Sequence, residues 1–163
     1  GPYRICAAPG RAPMSRWLPR VTVATVVFSA GRYLMVEEHD KQSGRAVFNQ
    51  PAGHLEAGET LPAAALRETR EETRWEVALQ GVLGVGLYTA PANGVTYCRT
   101  TFLAIPEREH KTAQMDPDII RCLWLEYDEI IARSARMRSP MVLAAIEKHR
   151  RGTCFPLDLI DDP

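Results

Sequence analysis

Cysteine is scarce in this sequence and does not occur in a metal-binding or disulfide pattern. The four cysteines among 163 residues, Cys6, Cys98, Cys122 and Cys154, lie far apart, with no C-x-x-C pair and no cysteine–histidine cluster. Their spacing excludes a zinc finger and a disulfide-stapled secreted domain. We therefore expect buried free thiols and a cytoplasmic protein.

The chain also lacks net charge. Twenty basic residues balance twenty acidic ones, and the sequence pI is about 7.1. A neutral protein exerts no long-range attraction on nucleic acid or anionic lipid, so we expect neither nucleic acid nor a membrane as a partner. Any recognition of phosphate must depend on a local group of residues.

No apolar run is long enough to cross a membrane, although one segment imitates a secretory signal. Residues 21–28 are apolar and follow the basic residues Arg16 and Arg20. These residues are β-formers that partly alternate, and Gly31 leads directly into a second strand-like run at 32–38. The pattern favours a β-hairpin over a signal peptide.

The first residues are not expected to belong to the core. The chain begins with Gly-Pro, which indicates that residues 1–15 are a tag remnant or an N-terminal extension, with Met14 as a candidate natural start. No repeat, low-complexity segment or Gly/Ser linker divides the remainder. We expect one domain over residues 16–163.

Hydrophobic periodicity predicts a mixed α/β fold. Three helices are expected at about 61–74, 127–133 and 139–151, the last with Ser139 as N-cap and Gly152 as stop. Strands are expected at 21–29, 32–38, 46–50, 75–88 with a break near 81–86, 96–105 and 122–125. Strands that flank one central helix, with two helices at the end, predict an α/β sandwich with a mixed sheet.

The most informative segment is an acidic helix preceded by a glycine-containing loop. Glu68, Glu71 and Glu72 are three and four residues apart, so their carboxylates project from one helical face and repel one another unless a cation lies among them. Hard oxygen ligands of this kind suit Mg²⁺ or Mn²⁺. Arg67 can pair with Glu71, and the Gly53 loop can offer a main-chain carbonyl.

The alternative is that these residues form only a solvated, salt-bridged helix face. The longer pattern weakens this alternative, because residues 53–72 match G-x₅-E-x₇-R-E-x-x-E-E, in which the first glutamate is Glu59. From the chain's own frequencies of Gly, Glu and Arg, chance matches at the six fixed positions amount to about 4 in 100,000. A metal–phosphate site is the better interpretation.

The motif is similar to the signature of the Nudix hydrolases. This resemblance implies an α/β/α sandwich in which the motif forms loop, helix and loop, and divalent-metal-dependent hydrolysis of nucleoside diphosphates linked to another group. It implies that Glu68, Glu71 and Glu72 are catalytic metal ligands. Gly53 would offer a carbonyl near the metal, Arg67 would orient the carboxylates, and Glu59 would be a further acidic residue at the substrate site.

Two positions depart from the family pattern. Thr69 stands where an aliphatic residue is common, and Arg74 replaces the glycine that ordinarily ends the helix in a left-handed conformation. An arginine at this position implies either a helix that continues or a strained cap, which costs about 1 kcal/mol.

Within the family, the chain resembles the NudJ phosphatase branch over about residues 20–160. The similar segments are residues 20–27, VEE at 36–38, NQPAGHLEAGETL at 49–61, RSP at 138–140 and FPLDLI at 155–160. This resemblance implies release of orthophosphate from nucleoside di- and triphosphates and from hydroxymethylpyrimidine diphosphate, a thiamine precursor.

Residues outside the motif offer further candidates, each with a simpler alternative. Gln50 can hydrogen-bond a pyrimidine edge or serve only as a polar turn residue. Arg99 binds a terminal phosphate if it faces the acidic helix, or is an exposed strand residue if it does not. Any of five aromatic residues can stack on a base or fill the core: Trp17, Tyr88, Tyr97, Phe102 and Trp124. The later acids are candidates for a further metal ligand or the general base, although the pair at 128–129 is explained more simply as first-turn residues of a helix; they are Glu107, Glu109, Asp116, Asp118, Glu126, Asp128 and Glu129.

The sequence thus predicts a Mg²⁺-dependent phosphohydrolase of small phosphorylated substrates, either a monomer or a small homo-oligomer. The alternatives are a Nudix pyrophosphohydrolase acting on a dNTP or ADP-ribose, and a non-catalytic Nudix module that senses a nucleotide.

Overall fold

A hairpin of two apolar strands begins the fold, as the sequence predicts. The computed structural model describes residues 16–162; the predicted N-terminal remnant or extension at 1–15, with Cys6 and Met14, lies outside the described residues. Strand β1 covers Arg20–Ser29 and β2 covers Arg32–His39. Ala30 and Gly31 join them with φ of 51° and 76°, the left-handed backbone of a tight hairpin turn.

The strands form two sheets that the hairpin connects. In the mixed sheet, β1 pairs antiparallel with β4 and parallel with β6, and β6 pairs antiparallel with β5. In the other sheet, β2 pairs antiparallel with β3 and β7. The remaining strands are β3 (Ala46–Asn49), β4 (Ala52–His54), β5 (Trp75–Thr89), β6 (Thr96–Glu109) and β7 (Ile119–Glu126).

Helices cover both faces of the mixed sheet, which confirms the predicted α/β/α sandwich. Helix α1 (Leu61–Thr73) packs on β1, β4 and β5, α2 (Tyr127–Ala132) follows β7, and α3 (Pro140–Arg150) packs on β5. Ser139 caps α3 as predicted, since its hydroxyl accepts a hydrogen bond from the Met141 N–H at 3.3 Å. No helix within residues 16–162 is long and apolar enough to span a membrane.

The two faces of the sheet bury separate apolar clusters. The cluster under α1 contains Val23, Ala64, Ala65, Val82 and Phe102, and the cluster under α3 includes Val26, Leu83, Val142, Ala145 and Ile146. The C-terminal tail packs on its own domain, because Leu157 and Ile160 join the first cluster and Phe155 forms a β-bridge with Val82.

Several element boundaries differ from the sequence prediction. Strand β5 is continuous through the predicted break at 81–86, with register shifts that absorb the irregular pairing. Its glycines allow close approach: a Cβ at Gly81 would overlap the Cys154 Sγ, and one at Gly84 would overlap the Lys148 Nζ. Strand β4 was not predicted, and β6 and β7 are longer than expected. Cys154 is exposed and Cys98 and Cys122 are only half-buried, so the expectation of buried thiols is wrong.

Helix α1 ends at the strained cap that was one of the two alternatives at Arg74. This residue has φ of 67° and ψ of 11°, a left-handed conformation that glycine normally adopts. Its N–H donates to the Arg70 carbonyl at 2.8 Å, and its guanidinium donates to the Lys111 carbonyl at 3.2 Å. These bonds offset a backbone strain of about 1 kcal/mol.

Candidate active site

Helix α1 presents its acidic residues at graded depths. The helix begins at a Thr60 N-cap, whose side chain accepts a hydrogen bond from the Ala63 N–H at 3.1 Å. The side chain of Glu71 is 51% exposed, that of Glu68 is 14% exposed, and Glu72 as a residue is only 6% exposed. The three predicted metal ligands therefore run from the solvent into the interior.

Arg67 binds the acidic residues of the motif to one another. Its Nε donates to Glu59 at 2.6 Å, and its Nη1 donates to Glu68 at 2.9 Å and to Glu71 at 3.2 Å. Its Nη2 reaches the His54 carbonyl at 3.1 Å, which ties the helix to β4. The hydrogen bond from Arg67 and, after it, one of 2.9 Å from the Glu56 N–H lower the pKa of Glu59 to about 2, and the carboxylates of Glu59 and Glu68 raise the pKa of Arg67.

Gly53 provides the space that the Glu68 carboxyl group occupies. A Cβ at position 53 would lie closer than 3.0 Å to the Cδ and to both carboxyl oxygens of Glu68. Gly53 does not have a positive φ, so packing and not backbone conformation requires glycine here. The loop before α1 and the helix thus form one tightly fitted acidic site.

Glu72 is a buried carboxylate with other carboxylates close to it, and the buried Arg99 guanidinium is the positive charge that faces it. Its Oε1 accepts a hydrogen bond from the Ala52 N–H at 2.8 Å. Burial raises its pKa well above the ordinary value, and the carboxylates of Glu38, Glu68 and Asp116 raise it further. Burial likewise raises the pKa of Glu68, although Arg67 opposes this effect. A cation would relieve both the desolvation and the repulsion.

The donor set fits a divalent metal. Its members are hard carboxylate oxygens that converge from α1, β2 and the loop before β7, and their mutual repulsion is what a bound Mg²⁺ or Mn²⁺ would neutralise. Within residues 16–162, no three His, Cys, Asp or Glu side chains are already arranged as ligands. Two of the carboxylates, Glu68 and Glu71, are instead paired with Arg67, at 2.9 and 3.2 Å.

Gln50 and Arg99, the other predicted substrate-binding residues, lie together in the interior. Arg99 Nη2 donates to Gln50 Oε1 at 2.6 Å, and Gln50 Nε2 donates to the Val142 carbonyl at 2.8 Å. Gln50 is fully buried and Arg99 is 6% exposed, so Arg99 is not the exposed strand residue that was the alternative. Burial lowers the pKa of Arg99 to about 10. Substrate binding by either residue stays a prediction.

A basic and aromatic surface borders the carboxylates. Arg138 Nη1 donates to Glu38 Oε1 at 2.8 Å, and Asn49 also contacts Glu38. The His54 ring lies 6.2 Å from the Tyr97 ring in an edge-on arrangement. Burial first, and then the positive charges of Arg20 and Arg138, lower the pKa of His54.

Sequence reasoning missed Glu38 and Arg138 as site residues and did not single out Asp116. The sequence features that contain these residues are the VEE segment at 36–38, the RSP segment at 138–140 and the acidic residues after β6. The sequence around each of them does not indicate that it approaches the motif in the fold. Pairing of β2 with β3 brings Glu38 beside Asn49. Asp116 is held near α1 because its N–H donates a hydrogen bond of 2.9 Å to the Glu71 carbonyl. These contacts join residues that are far apart in the chain.

Comparisons with known proteins identify the family of this chain. The sequence profile of the NUDIX domain matches residues 18–145. Phosphatase NudJ from Escherichia coli K12 is 40% identical over 144 residues, which cover 88% of this chain and 92% of the relative, and the Shigella sonnei protein of the same name matches equally well.

Solved structures give the same result. A NUDIX hydrolase from Nitrosomonas europaea superposes with a TM-score of 0.87 at 37% identity, covering 90% of this chain and 98% of the other. The MutT protein from Methanosarcina mazei, at 14% identity and a TM-score of 0.68, shares the fold. This chain belongs to the Nudix family and is a NudJ-like hydrolase that acts on phosphorus-containing acid anhydrides.

Proposed function

We propose that this enzyme is a Mg²⁺-dependent phosphatase that releases orthophosphate from nucleoside di- and triphosphates and from hydroxymethylpyrimidine diphosphate. The observation that carries the proposal is the burial of Glu72 among Glu38, Glu68 and Asp116, a group of carboxylates whose mutual repulsion the Ala52 N–H and the charge of Arg99 offset only in part. Such a site is unfavourable without a cation and favourable with one. The similarity to the NudJ phosphatases supports the choice of substrates.

Glu68, Glu71 and Glu72 would hold Mg²⁺, or Mn²⁺ in its place, with the Gly53 carbonyl as a further oxygen ligand. When bound, the metal supplies two effects: it lowers the pKa of a coordinated water, and it neutralises charge on the phosphate. These roles agree with the graded depth of the three carboxylates and with the tight fit of Glu68 against Gly53.

Arg67 is a positioning residue in this account. It holds Glu59 by two hydrogen bonds, of 2.6 and 2.9 Å, and contacts the His54 carbonyl, so it stays fixed between the loop and the helix when Glu68 and Glu71 leave it. Its charge then lies beside the phosphate groups that the carboxylates would otherwise repel. A carboxylate of the site would accept the proton of the attacking water.

The basic and aromatic surface would bind the rest of the substrate. Arg138 and Arg20 are available to contact phosphate oxygens, and Arg138 already neutralises Glu38 at the edge of the carboxylate set. The Tyr97 ring, with His54 against its edge, offers a surface on which a pyrimidine or a base can stack. An anionic head and a flat ring are the features that the proposed substrates share.

Phosphorus NMR of the reaction products tests this proposal. We would incubate the protein and Mg²⁺ with hydroxymethylpyrimidine diphosphate, nucleoside di- and triphosphates and ADP-ribose. Orthophosphate from the first two groups is the expected result. Pyrophosphate from a dNTP, or AMP from ADP-ribose, would contradict phosphatase activity and indicate a pyrophosphohydrolase, whereas binding without turnover would indicate a nucleotide sensor.

Arg138→Gln tests the substrate contact in the same assay. We expect KM to rise, by about 10-fold if one charge-assisted hydrogen bond of about 1.5 kcal/mol is lost. Arg151→Gln is the matched control, since Arg151 is an exposed arginine at the end of α3 and lies outside the site. Equal KM values for the two variants would exclude the proposed role of Arg138.

We also propose that residues 16–163 act as one Nudix domain and that the enzyme works in the cytoplasm. The packing of Leu157 and Ile160 into the α1-side cluster supports the first statement. The free thiols of Cys98, Cys122 and Cys154 support the second, because a reducing compartment keeps thiols in this form.

A further inference from the structure

Strand β5 is an edge strand whose second half is not protected against pairing. It pairs with β6 along one side, and among residues 16–162 its outer side is bonded only at Val82, which exchanges two hydrogen bonds of 2.8 Å with Phe155. Natural edge strands are usually protected by charges, prolines, bulges or a covering segment. The first half of β5 has two of these devices, because its three register shifts and the Phe155 bridge all lie before Val85.

From Gly84 to Thr89 none of these devices is present in the described structure. These residues pair one to one with Thr101 to Thr96 of β6 without a register shift. Six regular residues extend about 20 Å, which is an ordinary length for a paired strand. Residues 77–98 contain no charged side chain and no histidine. Their single proline, Pro91, lies beyond the end of the strand. The free half of β5 is therefore regular and uncharged.

Two of the three exposed residues of this half are apolar, and the third is Thr89. Val85 is 59% exposed and Leu87 is 66% exposed, and both lie on the α1 side of the sheet, beyond the part that α1 covers. Phe155 and Leu159 of the tail that packs on β5 are 47% and 57% exposed. The opposite side of the strand is closed, because Gly84 and Gly86 lie against Lys148 and Met141 of α3.

We propose that the free half of β5 pairs antiparallel with the same strand of a second copy of this chain. Pairing about a twofold axis at Gly86 would place Val85 of each copy opposite Leu87 of the other, and cross-strand apolar pairs of this kind stabilise a sheet. The two mixed sheets would join into one, with Phe155 and Leu159 beside the new seam.

The absence of charge favours a second copy as the occupant. Two copies of an uncharged strand meet about a twofold axis without repulsion, whereas a charged partner would find no counter-charge along residues 77–98. The catalytic carboxylates lie on α1 and the loop before it, and β5 contributes none of them. The dimer is therefore independent of the proposed function.

Sedimentation velocity over a wide range of protein concentrations tests the proposal. We expect the wild type to approach twice the chain mass of 18.2 kDa, and Leu87→Lys and Val85→Lys to stay monomeric. Ile120→Lys is the matched control, since Ile120 is 40% exposed on β7, the edge strand of the other sheet, and this variant should still form the dimer. Phosphatase activity and thermal unfolding establish that each lysine variant is folded.

Hydrogen exchange of the outward-facing amides within 84–89, every second one along the strand, distinguishes the other occupants, because the amides between them are already bonded to β6. We expect slow exchange in the wild type and fast exchange in Leu87→Lys. A wild type that stays monomeric at every concentration would overturn the proposal, and slow exchange in that monomer would indicate that the chain's own residues cover the edge. A dimer that persists in both Leu87→Lys and Val85→Lys would also overturn it, because another surface would then join the copies.

Discussion

Replacing Gly53 by alanine tests how the loop and the acidic helix act together. The new Cβ would lie closer than 3.0 Å to all three terminal atoms of the Glu68 carboxyl group, whereas an ordinary contact is about 3.5 Å. The carboxyl group must therefore move by about 1 Å, and a displacement of this size in a catalytic constellation can reduce the rate about 100-fold. Gly53 does not have a positive φ, so alanine introduces no backbone strain and the variant should fold.

The assay is steady-state release of orthophosphate at saturating substrate, with Mg²⁺ varied. We expect kcat of Gly53→Ala to fall about 100-fold while the melting temperature without Mg²⁺ changes little. Gly84→Ala is the matched control, because a Cβ there also overlaps a neighbour, but that neighbour is the Lys148 Nζ at the end of a flexible side chain. A Gly53→Ala enzyme with the kcat of the wild type would refute the requirement for the Glu68 position.

Three further predictions concern stability. Millimolar Mg²⁺ should raise the melting temperature, by about 2 to 4 °C for each kcal/mol of binding free energy, and Glu72→Gln should abolish the shift; no shift in the wild type would favour a solvated acidic face. Arg67 lowers the pKa of Glu59 from the ordinary value of 4.5 to about 2. The pair therefore stabilises the folded state fully above pH 4.5, and this contribution is lost as the pH falls towards 2. Urea unfolding should therefore show the difference between wild type and Arg67→Met shrinking over that range, and a constant difference would contradict the pairing. Arg99→Met leaves the buried Gln50 Oε1 without its donor and should cost about 1–3 kcal/mol in the same experiment, whereas an unchanged free energy of unfolding would show that this bond contributes nothing.

Local signals were sufficient to predict α1 and most strands. The spacing of Glu68, Glu71 and Glu72 fixes them near one helical face whatever packs around the helix, and the bond from Arg67 to Glu71 follows from their four-residue separation. The hairpin of β1 and β2 was equally predictable, because alternating β-formers surround a Gly31 turn. Each of these features depends on residues that are close in the sequence.

Features set by distant segments were not predictable. The glycines of β5 indicated a break, but they accommodate α3 and the C-terminal tail within a continuous strand. Which way Arg99 faces depends on the parallel pairing of β6 with β1, and the approach of Glu38 and Asp116 to Glu72 depends on two further tertiary contacts. No periodicity within a single segment contains this information.

The central claim is that the buried carboxylates of α1 drive a metal-dependent hydrolysis. The most direct measurement is the rate of orthophosphate release with saturating Mg²⁺ for the wild type, Glu72→Gln and Asp128→Asn, the control at an exposed acidic residue in the first turn of α2. The account predicts that Glu72→Gln loses activity by orders of magnitude while Asp128→Asn retains it. A Glu72→Gln enzyme as fast as the wild type would contradict the claim.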